Sequence, residues 1–489
     1  MPIRPYNQDQ IFLLPPSLDE WVRYDHPARV FSEVVDRIDT SQFREPKDEG
    51  RPAYHPTMML KVLLWGYAAG VRSSRKIEER LQQDIVFMWL AGMERPDFRT
   101  LCLFRSDNKA TIEKVFAEVI MIAQAMGMGS LGLVALDGSK VRASSGVDTF
   151  KKVEDWKRIL AGARAEASRI LEEAESIDKA EDAGHGQNRR GDELPAEIET
   201  TQKRIEKIEA LIKKAEELNK DETARMSTTD PDASFMHTRN TSSPAYNAQL
   251  AVTEDQIIVY ADVTAEPVDV NQTKKAVEII QQTMSRMPEI LLADTGYSGG
   301  ENLRYLEEKQ IDAYIPEAGE RHIGKTTRAR AHLYGKGSFQ YHATEDCYIC
   351  PQGKPLWPVS QNRLKTKYSK RSATIYRTEH GVCPACPTRA QCTPNTTIGR
   401  SVSRDGYEEY RERMKEKIHS PEGKKIYGKR KCIVEPVFGQ IKTRGGFLQF
   451  LLRGLEKVRI EWKITATAHN LLKIIGRIMK KERRLLAAA

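Results

Sequence analysis

Two aspartates of this sequence occupy positions from which a carboxylate can reach a ligand. Asp137 follows the apolar run Leu131–Leu136, Asp294 follows a second apolar run, and each has a glycine within two residues. A carboxylate that ends a buried strand lies at the edge of the sheet, where the backbone turns away and ligands approach. The ordinary alternative for each aspartate is a turn former or a helix cap.

A third carboxylate stands in a basic stretch near the other end of the chain. Glu435 opens a helical run in KRKCIVEPVFGQIKTRGGF, and Lys442 follows it seven residues later. Side chains seven residues apart lie nearly on the same face of a helix. This pattern predicts a metal ligand beside a contact to phosphate.

Three carboxylates of this kind are suited to phosphoryl chemistry with two metal ions. Mg²⁺ is a hard cation that prefers carboxylate oxygens. Two such ions about 4 Å apart can hold the attacking and the leaving oxygen of a phosphodiester displacement. Two acids from neighbouring strands and one from a flanking helix are enough to hold the pair.

The positive charge of the chain is concentrated around the third acid. The 489 residues carry 77 Lys and Arg and 68 Asp and Glu, a net charge of +9. Residues 401–489 hold 22 basic and 10 acidic residues, a net +12, so the rest of the chain is slightly acidic. A polyanionic partner is therefore expected at the C-terminal part.

Composition excludes several other classes of protein. An apolar fraction of 40% with 30% charged residues is ordinary for a folded protein and excludes global disorder. No run approaches about 18 uncharged apolar residues, so we expect no membrane span. Seven cysteines and an N-terminus without the pattern of a secretory signal indicate a reducing, cytoplasmic location.

The cysteines are a second set of candidate ligands, in two pairs of C-x2-C spacing. The pairs are Cys347 with Cys350 and Cys383 with Cys386. In a reducing compartment this spacing favours tetrahedral Zn²⁺ over disulfides. Cys392 or His380 remains open as a replacement for one ligand. The alternative is a small β-rich insertion with reduced, buried thiols.

Residues 1–127 predict a helical domain. Between residues 54 and 103, amphipathic segments are separated by glycines at Gly70 and Gly92. Such a module would suit DNA binding through displayed basic side chains; those are Arg72, Arg75, Lys76 and Arg80. A plain helical bundle with a solvated basic face is the alternative.

The remaining elements predict one α/β catalytic domain that is split by two insertions, so that the whole chain is α+β. Residues 128–150, 227–320 and 401–489 follow an order of strands and helices that is typical of a mixed sheet. Residues 151–226 predict an antiparallel helical hairpin, either a solvated spacer or oligomerisation arm or a DNA-contacting arm. Residues 321–400 form the cysteine-rich insertion.

The motifs around the three acids resemble those of bacterial insertion-sequence transposases of the DDE type. The resembling segments are LVALDGSKVRAS, EILLADTGYSGGENL and IVEPVFGQIKTRGGF. Further segments resemble the N-terminal helical domain of that family (YHPTMMLKVLLWGY) and the cysteine-bearing insertion of one branch (YICPQGKPL with CPACPTRAQC). The resemblance covers nearly the whole chain.

The resemblance implies a function, a fold and partners. It implies an RNase H-like core, two Mg²⁺ or Mn²⁺ ions, and cut-and-paste DNA transposition by hydrolysis and strand transfer at transposon ends. Asp137, Asp294 and Glu435 become the metal-binding triad by matching position. The implied partners are transposon-end and target DNA, with a homodimer or higher oligomer on the DNA.

The third motif of related transposases also contains DNA-contacting residues. It reads Tyr, two residues, Arg, three residues, Glu, six residues, Lys. Here Tyr427, Arg430, Glu435 and Lys442 match, except that four residues separate Arg430 from Glu435. In the family these side chains contact the DNA backbone near the cut, and Arg444 in the same basic stretch is grouped with them.

One aromatic residue and two alternative functions complete the hypotheses. Trp462 either stacks on an extruded base near the transposon end or belongs to the core of its helix. A transposase-derived DNA-binding protein without catalysis is disfavoured because all three acids are intact. An RNase H-like nuclease of another substrate class agrees with the triad but not with the resemblance of the N-terminal domain and the insertion.

Overall fold

The computed structural model describes residues 17–43, 52–185, 196–238, 241–317, 334–366, 369–393, 399–443 and 445–488. The helices are α1 (Leu18–Trp21), α2 (Pro27–Val35), α3 (Pro56–Ala68), α4 (Ser74–Gln83), α5 (Ile85–Leu90), α6 (Phe98–Asp107), α7 (Lys109–Ala125), α8 (Val153–His185), α9 (Ala196–Glu217), α10 (Gln272–Met284), α11 (Gly300–Glu308), α12 (Arg389–Cys392), α13 (Glu408–His419), α14 (Pro421–Gly428), α15 (Arg430–Thr443) and α16 (Leu455–Ala488). The strands are β1 (Leu133–Arg142), β2 (Lys151–Lys152), β3 (Arg225–Met226), β4 (Ser234–His237), β5 (Ser242–Thr253), β6 (Ile258–Thr264), β7 (Ile290–Ala293), β8 (Asp312–Tyr314), β9 (Gln340–His342), β10 (Cys347–Ile349), β11 (Pro355–Thr366), β12 (Ser369–Arg377) and β13 (Ser401–Asp405).

The central sheet is mixed, which confirms the predicted α/β class. Its strand order is β4-β5-β1-β7-β8, and β6 also pairs with β5. Strand β5 runs antiparallel to β1 and β6 antiparallel to β5, whereas β7 is parallel to β1 and β8 parallel to β7. The two parallel strands are reached through the crossover helices α10 and α11, as parallel pairing requires.

The N-terminal helices share one hydrophobic core with this sheet. Helix α3 begins at Pro56, where a proline is tolerated at the first helical position. Gly70 and Gly92 follow α3 and α5 with positive φ, as predicted for helix-terminating glycines. The apolar faces of α2, α3 and α7 pack against α16, and their buried residues are continuous with those of β1, β5 and β6.

The long helix α16 passes through the middle of this core. Trp462 and Ile464 are buried, as are residues further along the helix such as Leu471 and Ile474. Its side chains therefore face other parts of the protein over several turns. In the described ranges, no helix combines the length and the apolarity that crossing a membrane needs.

The first insertion is a helical hairpin, as predicted. Helices α8 and α9 pack against each other, and the short strands β2 and β3 pair at their base. The hairpin has a small core of its own that includes Trp156, Ile208 and Leu211. The polar connector at residues 186–195 lies outside the described residues.

The second insertion is built on an antiparallel sheet of order β13-β12-β11-β10-β9. Strand β13 pairs with β12, so the sheet continues beyond residue 400 to Asp405. Its hydrophobic cluster is small and contains, among the described residues, the buried side chains of Phe339, Tyr348, Leu356, Tyr376 and Val402. So small a core provides little hydrophobic stabilisation of its own.

Candidate active site

Asp137 and Asp294 lie side by side on neighbouring strands. Strand β7 is parallel to β1 with Leu136 opposite Ala293, so the next residues in register are the two aspartates. Asp294 follows directly after β7, as predicted. Asp137 does not end its strand: β1 continues to Arg142 because the antiparallel partner β5 extends along it. The Asp137 side chain is 16% exposed, at the point where its other neighbour, β7, ends.

The glycines beside these aspartates make room for a fourth acid, Asp269, which the sequence patterns do not single out. A Cβ on Gly138 would clash with Gln249 and would lie 2.8 Å from Asp269 Oδ1. A Cβ on Gly296 would lie 3.0 Å from Asp294 Oδ1 and 3.2 Å from Asp269 Oδ2. Both glycines therefore serve close packing in the site, which the pattern of a glycine after an apolar run does not indicate.

Asp269 is held by a polar network on the face of β1 opposite to Asp137. It accepts hydrogen bonds from Asn247 Nδ2 (2.6 Å) and Gln249 Nε2 (2.8 Å). Lys140 Nζ lies 3.2 Å from its Oδ1. The Tyr297 hydroxyl donates to Gln249 and extends the network to the turn after β7. In the sequence, Asp269 precedes α10 and resembles a helix cap, which is why its type and position did not distinguish it.

Glu435 and Arg430 both belong to α15, and Arg430 links Glu435 to Asp137. Arg430 Nη1 lies 3.0 Å from Asp137 Oδ2, and its Nη2 lies 3.2 Å from Glu435 Oε1. The Arg430 side chain is only 8% exposed, whereas that of Glu435 is 49% exposed. The guanidinium thus joins the helix acid to the strand acid inside the protein. Arg430 is therefore part of the acid cluster, and not an exposed DNA contact in this structure.

All three predicted acids are close enough to Arg430 to affect its pKa. Burial alone would lower the pKa of Arg430, but Asp137, Tyr427, Asp294 and Glu435 raise it. Burial also raises the pKa of Asp137 to about 6; Arg430 lowers it, and the neighbouring Asp294 raises it. A negative charge on Asp137 is therefore costly, and a further cation at this point would stabilise it.

Asp137→Asn is expected to increase the free energy of unfolding by about 1–3 kcal/mol near pH 7.5, since a pKa of about 6 in place of 3.8 disfavours the charged folded state. The wild-type protein has its full stability from this group below pH 3.8 and loses it as the pH rises through about 6. The advantage of the variant should therefore be largest above pH 6 and shrink towards pH 4. Urea unfolding across this pH range measures it. Asp312→Asn, on the exposed start of β8, is the control, and an equal gain there would contradict the assignment to Asp137.

Further predicted DNA contacts are Lys442, Tyr427 and Arg444. Lys442 Nζ lies 2.6 Å from the Ser139 hydroxyl, two residues along β1 from Asp137. Lys442 thus reaches β1, whereas Glu435 contacts Arg430 of its own helix. Tyr427 is half-buried at the end of α14 beside Arg430. Arg444 lies outside the described residues.

Trp462 is a core residue, which corrects its assignment to a DNA-stacking role. It is 1% exposed, and its indole N–H donates to the Gln249 carbonyl at 3.0 Å. The ring packs against Phe447 and Phe450 at centroid distances of 5.2 and 6.3 Å. A base cannot stack on a ring that is covered on all sides, so the alternative interpretation of this helix holds.

The predicted zinc ligands do not all come together. Cys350, Cys383 and Cys386 line one cavity of the insertion, and Cys392 joins them there. Cys347 is fully buried outside that cavity, and its thiol donates to Glu345 at 3.7 Å. Because neighbouring side chains of a strand point to opposite faces and Tyr348 enters the core, Cys347 lies on the other face of β10.

The carboxylates have the donor chemistry of a site for a hard divalent cation. Asp137 and Asp294 come from adjacent strands and Glu435 from the flanking helix, and all three provide oxygen ligands. In the described ranges, however, no three His, Cys, Asp or Glu side chains already have the arrangement of a finished metal site. A cation between Asp137 and Glu435 would compete with Arg430 for the same oxygens.

Two family models match the chain. One, described as a transposase DDE domain, matches residues 349–475, which include Glu435. The other, described as a transposase domain (DUF772), matches residues 16–107, the segment of α1 to α6. Comparison with curated proteins gives no match. The two matches lie on either side of the strands that carry Asp137 and Asp294, and together they indicate an insertion-sequence transposase of the DDE type.

Proposed function

We propose that this transposase binds the ends of its element and carries out cut-and-paste transposition, with Asp137, Asp294 and Glu435 as its metal-binding acids. The proposal rests on the positions of these side chains. The two aspartates lie on adjacent parallel strands, and Arg430 forms ion pairs with both Asp137 and Glu435. The strand order and directions of the central sheet support an RNase H-like core.

Two Mg²⁺ or Mn²⁺ ions, when bound, supply activation of the attacking water or 3′-hydroxyl and stabilisation of the leaving oxygen. The protein contributes the position and charge of the ligands. The hydrogen bond from the Gly296 N–H to Asp294 Oδ1 (2.8 Å) and that from the Gly138 N–H to Asp137 Oδ1 (2.9 Å) orient the two carboxylates. The Asp269 network joins β1 and β5 behind them. In-line displacement of a phosphodiester depends on such positioning and electrostatics.

A phosphate group near the cut would meet Lys442 of α15. Its ammonium contacts Ser139, two residues along β1 from Asp137, whereas Arg430 is buried between Asp137 and Glu435. The same proposal includes transposon-end and target DNA as partners and a bacterial cytoplasmic location at the nucleoid. It also includes a homodimer or higher oligomer on DNA, since two transposon ends need at least two active sites.

A cleavage assay on DNA from the element's own ends tests this function. The full-length protein is incubated with labelled end DNA in Mg²⁺, in Mn²⁺ and in EDTA, beside a scrambled sequence of the same length. We expect cleavage at the element boundary with either metal and none with EDTA. Specific binding to the ends without cleavage in either metal would identify a DNA-binding protein without catalysis and overturn the catalytic proposal.

Lys442→Ala is expected to weaken end binding and to reduce the slope of log affinity against log salt by about 1, because one phosphate contact is lost. Fluorescence anisotropy between low and moderate salt measures both quantities. Lys425→Ala, an exposed lysine of α14, is the matched control. An unchanged slope for Lys442→Ala would mean that the Lys442 ammonium contacts groups of the protein, such as the Ser139 hydroxyl, and no phosphate.

A further inference from the structure

The second insertion brings four thiols to one place from three separate segments. Cys350 lies in the turn after β10, Cys383 and Cys386 in the loop after β12, and Cys392 ends α12. All four line a cavity of about 370 Å³. Cys350 lies 33 residues before Cys383, whereas the other three thiols fall within residues 383–392, so the fold brings the turn after β10 to this short stretch.

The turn around Cys350 has features that stabilise a thiolate. The backbone N–H of Lys354 donates to Cys350 Sγ at 3.4 Å. Gly353 has a φ of +72°, a left-handed conformation that suits glycine and closes this tight turn. A backbone N–H that points at sulfur is an outer-shell contact of the kind that orients and stabilises a metal-bound ligand.

Comparable donors stand beside the C-x2-C pair. The Thr378 hydroxyl lies 3.1 Å from Cys383 Sγ, and the Thr388 hydroxyl lies 3.5 Å from Cys386 Sγ. Arg400 lines the same cavity and adds a positive charge. A site of four thiolates around one Zn²⁺ has a net charge of −2, which nearby donors and a cation would stabilise.

The four thiols are also close enough to influence one another. Burial raises the pKa of Cys392; Arg400 lowers it, and the thiols of Cys383, Cys350 and Cys386 raise it. Cys347 is absent from this group, since its thiol interacts with Glu345. The exposed His380 does not line the cavity either. The cluster thus contains four thiols without either residue.

We propose that the insertion binds one structural Zn²⁺ ion through four thiolates, those of Cys350, Cys383, Cys386 and Cys392. Zn²⁺ prefers sulfur ligands in tetrahedral sets of four, and a closed set of this kind is structural. The ligands lose their protons to the solvent on binding. The thiols now contact hydroxyl and amide groups, so binding requires them to turn towards one centre.

The role of the ion follows from the size of the surrounding core. The described buried core of the insertion consists of only a few aromatic and aliphatic side chains. Small domains of this kind commonly need a metal or a disulfide to remain folded. Zinc would cross-link the β10–β11 turn, the loop after β12 and α12. The site is separate from the acid cluster and independent of the proposed catalysis.

Zinc content of the full-length protein tests the proposal. The protein is purified with reductant and added ZnSO₄, passed through a desalting column, and analysed by mass spectrometry for metals. We expect about one zinc per chain, and less than about 0.3 would overturn the site. Titration of the apoprotein with Co²⁺ should give the visible d–d bands of a tetrahedral site with thiolate-to-metal charge transfer.

Single variants distinguish the proposed ligand set from the set that the sequence predicts, which has Cys347 in place of Cys392. Cys386→Ser and Cys392→Ser should lose the bound zinc, whereas Cys347→Ser and Cys432→Ser should keep it. Cys432 is an exposed cysteine of α15 and controls for loss of any thiol. Zinc loss in Cys347→Ser together with retention in Cys392→Ser would overturn the proposed set. Circular dichroism shows which variants fold. If a variant does not fold, the Co²⁺ spectrum of the wild-type protein tests the thiolate site instead.

Discussion

Asp294→Asn is expected to lower DNA strand cleavage at least about 1,000-fold while end binding stays within about twofold of wild type. A metal ion contributes several kcal/mol of transition-state stabilisation, and each 1.36 kcal/mol is a factor of ten in rate. Asparagine can still accept the Gly296 N–H bond that Asp294 now accepts, so the turn after β7 should persist. Cleavage of end DNA in Mg²⁺ and a mobility-shift assay measure the two properties.

Asp137→Asn and Glu435→Gln should give the same pattern, because each removes one charged ligand with little change in shape. Asp312→Asn is the matched control: it lies at the start of β8, the next strand of the sheet, and pairs with Lys417 away from the acids. Normal cleavage by any one of the three test variants would remove that residue from the proposed triad. A variant that loses both end binding and cleavage would instead indicate a folding defect.

The elements that carry the triad could be predicted from local patterns. Apolar runs of strand length ended near Asp137 and Asp294, and helical spacing placed Glu435 and Lys442 on one face of α15. These features depend on nearest neighbours in the chain. The mixed sheet followed from the order of such runs, since parallel strands need crossover helices.

Features that depend on distant partners could not be predicted. The extension of β1 beyond Asp137 is set by pairing with β5, more than 100 residues later. The Asp269 network joins side chains from β1, β5 and the loop before α10. Cys347 and Cys350 have the spacing of a metal-binding pair, but the face of β10 on which each side chain lies is decided by the core around Tyr348.

The same limit applies to the basic residues of the N-terminal helices. Arg72 belongs to the basic residues that the sequence predicts to be displayed, with Arg75, Lys76 and Arg80. In the structure, its side chain is 10% exposed and lies 2.9 Å from Glu461 of α16, which is completely buried. Sequence patterns could not identify this partner, which is 389 residues away.

Arg72 connects the N-terminal helices to the C-terminal part of the chain. Its guanidinium donates to Glu461 and to the carbonyl of Gln449 at 3.1 Å, and it lies 4.1 Å above the ring centre of Phe447. Glu461 also accepts the backbone N–H groups of Leu451 and Leu452, so one buried carboxylate organises the segment before α16. Arg105 also lowers the pKa of Glu461, but loss of Arg72 would remove the direct ion pair and leave this buried charge with less compensation.

Arg72→Ala is therefore expected to lower the free energy of unfolding by about 3–5 kcal/mol, the usual cost of removing one partner of a buried ion pair. Arg80→Ala is the control, because Arg80 is 53% exposed in its ion pair with Asp84 and such pairs contribute about 0–1 kcal/mol. Urea unfolding followed by circular dichroism measures both. Equal effects of the two variants would show that the pair with Glu461 does not hold the N-terminal helices in place.

The pH dependence of the Arg72→Ala variant separates lost charge pairing from lost packing. Burial raises the pKa of Glu461, and the Leu452 N–H group, Arg72, the Leu451 N–H group and Arg105 oppose that rise. Without Arg72 the pKa rises further, so the variant should be least stable at neutral and higher pH and should recover as the pH falls and Glu461 is protonated. Adding Glu461→Gln to Arg72→Ala should restore part of the stability at pH 7.5. A deficit that is the same at every pH, and that the added Glu461→Gln substitution does not reduce, would instead assign the loss to the contact of Arg72 with Phe447.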